Sequence, residues 1–155
     1  MNDTGAPALP PATERGSYAI WTYDKLRYND TDRQGHVNNA VFATFCETGR
    51  VMFLYDEQLN LAGADANFVV VRLELDFRSE LFYPGRIDIG TRVLGIGRSS
   101  FRLGQGIFNG NTCAATAETV LVLMDGATHK AKALTPQLKA WLEARLAKPV
   151  GGQTG

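Results

Sequence analysis

The sequence has few cysteines and histidines and no surplus of charge of either sign. Its 155 residues include two cysteines, Cys46 and Cys113, and two histidines, His36 and His129, without the spacing of a zinc-binding motif. The 16 basic and 16 acidic side chains cancel, so no overall basic excess points to nucleic acid or to an anionic membrane surface. We therefore expect reduced, buried thiols and a cytoplasmic protein.

Long apolar runs are missing as well. No stretch approaches the roughly 18 apolar residues that span a bilayer, and residues 1–15 lack the apolar centre of a signal peptide. We expect residues 1–16 to be a flexible lead-in and residues 148–155 a flexible tail. The intervening residues 17–147 have a length that suits one domain.

What is present is a pattern of strands with two helices. Residues 17–28 are rich in Tyr, Trp and Ile and predict a strand, whereas residues 29–37 predict a polar loop. A helix is predicted from Asn39 to Gln58, with Asn38 as its N-cap. Its apolar stripe comprises Val41, Phe42, Phe45, Met52 and Phe53. Gly49 lies on the apolar side, which a close approach of the helix backbone to a sheet would explain.

Four further strands and a closing helix are predicted after this helix. The strands lie at residues 68–77, 86–96, 100–109 and 112–124, and the helix at residues 134–146. In the first of these strands one face is predicted to carry Val69, Val71, Leu73, Leu75 and Phe77. The turn sequences Pro84-Gly85 and Asn109-Gly110 separate strands. The order predicts an α+β fold with a largely antiparallel sheet that covers the first helix.

The densest polar cluster, residues 28–39, immediately precedes the predicted helix. A helix N-terminus exposes backbone N–H groups and suits an oxyanion or a polarised carbonyl group. A carboxylate in the preceding loop could attack that carbonyl or deprotonate a water molecule. Taken alone, the same residues also fit an ordinary capped loop. Glu47 and Arg50, three residues apart on the helix, are most simply a surface ion pair.

The loop and the helix start carry a recognisable motif. It reads Tyr28-x-Asp30-Thr31-Asp32-x-x-Gly35-His36-Val37-Asn38-Asn39-Ala40, followed by Phe42, Phe45, Glu47 and Arg50. This motif resembles that of the hotdog-fold acyl-CoA thioesterases, most closely the 4-hydroxybenzoyl-CoA thioesterase-like family. The resemblance covers roughly residues 17–146. It implies five or more antiparallel strands wrapped around a long central helix, a C-terminal helix, and homodimers or homotetramers whose active sites form between subunits.

The resemblance also implies roles for individual residues. Asp32 matches the catalytic carboxylate, acting as nucleophile or as general base, and Gly35 keeps the backbone close to the thioester. Asn39 matches the position whose backbone N–H polarises the thioester carbonyl, and His36 is a secondary catalytic candidate. Expected substrate contacts are Gln34, Glu47, Arg98, Ser99 and Ser100, with Arg86 and Arg102 as further candidates for the phosphates of coenzyme A.

The expected function is hydrolysis of an acyl-CoA or acyl-carrier-protein thioester to a free acid and a thiol. No metal or cofactor is implied beyond the coenzyme A that forms part of the substrate, and no nucleic acid or membrane partner. Two alternatives stay open. One is an enoyl-thioester hydratase or dehydratase on the same fold. The other is a non-catalytic acyl-CoA-binding protein. A related branch places its catalytic Glu on the central helix, where Glu47 lies.

Overall fold

The computed structural model describes residues 7–55 and 59–151, which form a five-stranded antiparallel sheet and two α-helices. The strands are β1 (Ile20–Lys25), β2 (Ala66–Phe77), β3 (Arg86–Ile96), β4 (Ser100–Asn109) and β5 (Thr112–Asp125). Helix α1 (Asn39–Leu54) lies between β1 and β2 in the chain, and α2 (Pro136–Glu143) follows β5. The order across the sheet is β1-β3-β4-β5-β2. The expected hotdog architecture is confirmed.

The three central strands match the sequence prediction almost to the residue. β3 and β4 have the predicted bounds, and β5 extends one residue further, to Asp125. Their alternate side chains are fully buried, as at Ile87 and Ile89 of β3. The turn between β4 and β5 comprises two residues and places Gly110 at a φ of +58°, which glycine adopts without strain.

The first strand is shorter than predicted, because polar side chains hold its expected end in a turn. Residues 28–30 form a single turn of 3₁₀-helix rather than strand. The Asp30 carboxylate accepts a hydrogen bond from the backbone N–H of Arg27 at 2.8 Å, and the Thr31 hydroxyl donates to the carbonyl of Tyr28 at 2.8 Å. Such local side-chain bonds compete with extended structure.

A β-bulge in β2 makes the predicted face of this strand wrong at Val69 and Val71, whereas Leu73, Leu75 and Phe77 share one face as predicted. The pairing of β2 with β5 shifts at Val71, so two residues of β2 oppose one of β5. Phe68 before the bulge and Leu73 after it both pack into the core. Val69 and Val71 do not share that face, and Val71 is 56% exposed. A strict alternation rule cannot anticipate the inserted residue.

Both helices end earlier than predicted where the structure describes them. α1 stops at Leu54, and the expected end at Gln58 lies outside the described residues. α2 covers Pro136–Glu143. It begins at Pro136 because the Thr135 hydroxyl accepts the N–H of Leu138 at 3.1 Å and so caps the N-terminal end of the helix. Beyond α2 the chain makes a short parallel bridge to β3.

Helix α1 packs closely on the sheet at Gly49. The side-chain amide of Gln105 donates to the carbonyl of Cys46 at 3.0 Å and to the hydroxyl of Thr91 at 3.3 Å. A Cβ atom on Gly49 would collide with that amide and would lie 2.7 Å from Cγ2 of Ile89. The glycine therefore permits the close approach that its position predicted.

Arg50 is not the surface residue that the sequence analysis expected. Its exposed fraction is 8%, whereas Glu47 is exposed, and the structure forms no ion pair between these two described residues. Burial lowers the pKa of the Arg50 guanidinium. The Nη1 atom of Arg50 has no hydrogen-bond partner among the described residues. Its place beside the core follows from the helical spacing with Cys46 and Gly49.

The two cysteines are free thiols in different surroundings. Cys46 is fully buried, and this burial raises its pKa to about 11. Cys113, at the start of β5, is only half-buried. The expectation of two buried thiols therefore holds for Cys46 alone.

The described part of the expected lead-in lies against the sheet. The carbonyl of Pro10 accepts a hydrogen bond from Nη1 of Arg92 at 2.7 Å, and the carbonyl of Ala12 accepts one from the hydroxyl of Tyr18 at 2.6 Å. These bonds tie the N-terminal segment to β3 and to the residues that precede β1. Within residues 7–55 and 59–151, no helix is long and apolar enough to cross a membrane.

Replacement of Gly49 by alanine tests the helix–sheet contact. We expect Gly49→Ala to lower the free energy of unfolding by about 1–3 kcal/mol, because overpacking outweighs alanine's better helix propensity of about 1 kcal/mol. Urea unfolding followed by circular dichroism measures the change. Thr44→Ala, at an exposed position of the same helix, is the control and should alter stability by less than about 0.5 kcal/mol. Equal stability of Gly49→Ala and the wild type would contradict the close contact.

Candidate active site

A tight turn holds Asp32 just before α1. The N–H of Asp32 donates to the carbonyl of His36 at 2.8 Å, and the N–H of Gly35 donates to the carbonyl of Asp32 at 3.0 Å. Oδ1 of Asp32 accepts the N–H groups of Gln34 at 2.8 Å and of His36 at 3.3 Å. Gly35 has a φ of +83°, which favours glycine. The turn thus anchors one carboxylate oxygen, and Oδ2 has no hydrogen-bond donor among the described residues.

The start of α1 offers a backbone N–H beside this turn. The N–H of Asn38 donates to the carbonyl of Asp30 at 2.8 Å, and the side chain of Asn38 accepts the N–H of Ala40 at 3.0 Å. The N–H of Asn39 has no acceptor within the described residues. Because it lies at the positive end of the helix dipole, this N–H can stabilise a developing negative charge.

One cavity of about 330 Å³ brings these groups together. Asp32, Gln34, His36 and Asn39 line one side, and residues 77–81 line the other. The N–H of Val37 donates to the carbonyl of Leu81 at 2.8 Å, which joins the two sides. Four residues that the sequence analysis singled out therefore share one cavity.

The segment after β2 adds polar side chains that the sequence analysis did not find. Oε1 of Glu80 lies 3.4 Å from Nδ1 of His36, which is within the distance of an ion pair. Arg78 also lines the cavity, and its Nε donates to the hydroxyl of Thr116 at 3.0 Å. These residues are more than forty positions from the loop in the sequence, and only the end of the alternating pattern at Phe77 signals that they leave the sheet there.

Two aromatic rings give the cavity an apolar wall. The rings of Phe42 and Phe77 meet edge to face with centroids 5.2 Å apart. Phe77 is 51% exposed, so part of its ring is available to a ligand. The cavity therefore combines a carboxylate and a helix N–H with aromatic surface.

Other expected substrate contacts lie outside this cavity. Glu47 is exposed on α1, Arg98 and Ser99 lie in the turn between β3 and β4, and Ser100 is the first residue of β4. That turn is at the far end of β3 from the cavity, about 30 Å along an extended strand of this length. A single chain therefore does not bring this turn to Asp32.

The remaining basic candidates are engaged in ion pairs. Nη2 of Arg86 lies 3.0 Å from Asp88, and Nη1 of Arg102 lies 3.6 Å from Glu118. Both arginines are well exposed, so these ion pairs contribute little to stability, and each arginine can leave its carboxylate for another anionic group. In the part of the chain that the structure describes, no group of three or more His, Cys, Asp and Glu side chains is arranged to hold a metal ion.

Comparisons with known proteins place these features in context. Residues 26–142 match the family model of the thioesterase-like superfamily. The chain is 24% identical over 123 residues to a 1,4-dihydroxy-2-naphthoyl-CoA hydrolase of Synechococcus elongatus, covering 76% of this chain and 90% of that protein.

Solved structures agree with this match. The probable thioesterase YbaW of Escherichia coli has a TM-score of 0.72 and 27% identity, covering 83% of this chain and 99% of that chain. A thioesterase of Thermus thermophilus, complexed with coenzyme A and zinc, has a TM-score of 0.73 and 27% identity, covering 86% of this chain and 98% of that chain.

The cap of α1 can be tested by two substitutions. We expect Asn38→Ala to destabilise the fold by about 1 kcal/mol, because the N–H of Ala40 loses its side-chain acceptor. Asn38→Asp keeps an acceptor and should stay within about 0.5 kcal/mol of the wild type. Thermal and urea unfolding of the three proteins give the comparison. If both substitutions cost the same, the side-chain cap is not what stabilises the helix start.

Proposed function

Because the chain belongs to the thioesterase-like superfamily and is a thioester hydrolase, we propose that it hydrolyses an acyl-CoA with Asp32 as the reacting carboxylate. One observation carries this proposal: Asp32 and Asn39 line the same cavity, and the N–H of Asn39 has no acceptor within the described residues. A thioester placed there has a group to attack its carbon and a donor for its oxygen.

The proposed reaction begins with the thioester oxygen bound at the N–H of Asn39. As a nucleophile, Oδ2 of Asp32 forms a bond to the carbonyl carbon, the carbon–sulfur bond breaks and the thiolate of coenzyme A leaves. Water then hydrolyses the mixed anhydride and regenerates the carboxylate. As a general base, Asp32 instead takes a proton from a water molecule that attacks the same carbon; the carbon–sulfur bond breaks, and the proton passes from Asp32 to the departing thiolate. Both routes yield one free acid and one thiol.

Neighbouring groups support this assignment. Oδ1 of Asp32 is held by two backbone N–H groups, so the carboxylate is oriented before substrate arrives. A Cβ atom built on Gly35 would meet nothing within 4 Å, so the φ of +83°, which shapes the turn that holds Asp32, is what favours glycine there. His36, paired with Glu80, would orient water or the leaving group.

The aromatic wall favours a bulky acyl group. Phe77 presents ring surface next to the proposed position of the carbonyl carbon, and the buried ring of Phe42 packs against it. The curated relatives are named hydrolases of a naphthoyl-CoA, whose acyl group is a fused aromatic ring. We expect aromatic acyl-CoAs to be better substrates than short aliphatic ones.

A second copy of the chain would complete the site. β2 is an edge strand of 12 residues, and apolar side chains stay exposed along it and on α1. They are Val51, Met52, Tyr55, Val70, Val71 and Phe77. Antiparallel pairing of β2 with β2 of a second copy would cover them and would bring the β3–β4 turn of that copy toward the first cavity.

Loss of the Asp32 carboxylate tests the chemistry. We expect Asp32→Asn to lower kcat by at least about 100-fold, because the amide neither attacks nor accepts the proton. Release of free thiol from aromatic, short-chain, long-chain and branched acyl-CoAs measures the rate. Glu143→Gln, at an exposed position on α2, is the control and should keep wild-type rates.

Two results would contradict this proposal. Near-wild-type hydrolysis by Asp32→Asn would move the chemistry elsewhere, with Glu47 as the next candidate. Hydration of an enoyl-CoA without thiol release by the wild type would replace hydrolysis with a hydratase reaction, which also uses an Asp and a His.

A charge on the proposed interface tests the second copy. Val70 lies on the face of β2 that adjoins α1 and is 41% exposed. We expect Val70→Asp to shift a dimer to monomers by at least tenfold in dissociation constant and to lower activity in parallel, because the carboxylate would be buried without a partner. Analytical ultracentrifugation measures this shift. Val150→Asp, at an exposed apolar position far from β2, should change neither property.

A further inference from the structure

A second cavity lies at the opposite edge of the sheet, where β1 begins. It has a volume of about 440 Å³, within the range of small-ligand sites. Its walls come from residues 16–20, from Thr91 and Arg92 of β3, and from residues 144–148 after α2. It shares no lining residue with the Asp32 cavity.

Arg92 is a buried cation in the wall of this cavity. Its exposed fraction is 8%, its Nη1 donates to the carbonyl of Pro10 at 2.7 Å, and its guanidinium lies 5.2 Å from the ring centroid of Tyr18. The Nε atom has no hydrogen-bond partner in residues 7–55 and 59–151. Glu74, Asp76 and Glu118 share a neighbouring depression with Arg92, yet none of these three carboxylates forms an ion pair with it. A buried, uncompensated guanidinium is costly, so an anion would be stabilising here.

Two exposed basic residues, Arg145 and Lys148, are among the residues that line the same cavity. Arg145 stacks on the ring of Trp141 at 4.0 Å and donates to the carbonyl of Trp141 at 3.0 Å, which holds its guanidinium in place. Lys148 follows three residues later. No Asp or Glu is among the described residues that line the cavity. Its local charge is therefore positive although the whole chain is neutral.

The rest of the cavity wall is largely apolar. Small and aliphatic side chains line it, namely Ala19, Ile20, Ala144, Leu146 and Ala147. One buried donor and two exposed basic residues in the same lining suit a single carboxylate, and the aliphatic lining suits an apolar body attached to it. A highly charged diphosphate would find few buried donors and would gain nothing from the apolar walls.

We propose that this cavity is a binding site for an amphipathic monocarboxylate, such as an alkyl or aryl acid. The carboxylate lies against Arg92, with Arg145 and Lys148 as the further basic residues of the lining, and the apolar body lies along residues 144–147. Acids released from thioesters belong to this chemical class, but the inference rests on the charges and walls of the cavity and not on the reaction at Asp32.

Photolabelling locates such a site directly. A decanoic acid that carries a photoreactive diazirine is irradiated with the full chain, and the labelled fragments are mapped by mass spectrometry. We expect labelling of residues 10–20 and 144–148, competition by excess decanoate, and at least tenfold less labelling by the matching uncharged alcohol. Labelling confined to fragments with residues 32–42 or 77–81 would place the acid only in the Asp32 cavity and overturn the proposal.

Two double variants distinguish binding in this cavity from a general effect of the net charge of the protein. Arg145→Glu with Lys148→Glu reverses the charges of the two exposed basic residues and should reduce labelling at least tenfold, while thiol release from acyl-CoA is unchanged. Lys130→Glu with Lys139→Glu makes the same change in net charge at exposed positions outside the cavity and should leave labelling intact. Equal labelling of both double variants would overturn the proposal. Because labelling does not depend on turnover, failure of the hydrolysis assay leaves this test unaffected.

Discussion

The contact between α1 and the sheet at Gly49 determines where the rest of the molecule lies. With no Cβ at this position, the helix backbone comes close enough for the Gln105 amide to donate to the carbonyl of Cys46. Because a helix is stiff, this contact also fixes its N-terminus, about 15 Å away at ten residues' distance. The depth and direction of α1 then set the position of the Asn39 N–H relative to the strands.

The residues of the candidate site are held in place because their loop is bonded to the start of that helix and to the segment after β2. Two backbone bonds tie the polar loop to its surroundings, from Asn38 to the carbonyl of Asp30 and from Val37 to the carbonyl of Leu81. The carboxylate of Asp32 is therefore carried by a braced turn rather than by a loose loop. Such bracing lowers the reorganisation that a reacting carboxylate and an oxyanion donor would otherwise need.

Local patterns were sufficient for the parts of the fold that depend on neighbouring residues. β3 and β4 end at turn residues, so their bounds could be predicted, as could the Asn38 cap, although the pairing of each strand shifts register once. The bulge at Val71 and the turn at residues 28–30 depend on pairing and side-chain bonds that alternation does not encode. In the candidate site, one continuous motif revealed Asp32 and Asn39, whereas Glu80 meets His36 only through the fold.

Three separate features of the single chain have one physical explanation in the proposed dimer, in which two copies pair through β2. Phe77 is half exposed although it forms the apolar wall of the cavity, β2 leaves one edge unpaired, and the β3–β4 turn lies far from Asp32. In antiparallel pairing through β2 the two copies would run in opposite directions, so the β3–β4 turn of one copy would approach the cavity of the other. The same pairing would shield Phe77 from water and would provide hydrogen-bond partners for the edge of β2. An acyl group bound beside Phe77 would then lie between two chains, and its length would be limited by residues of both.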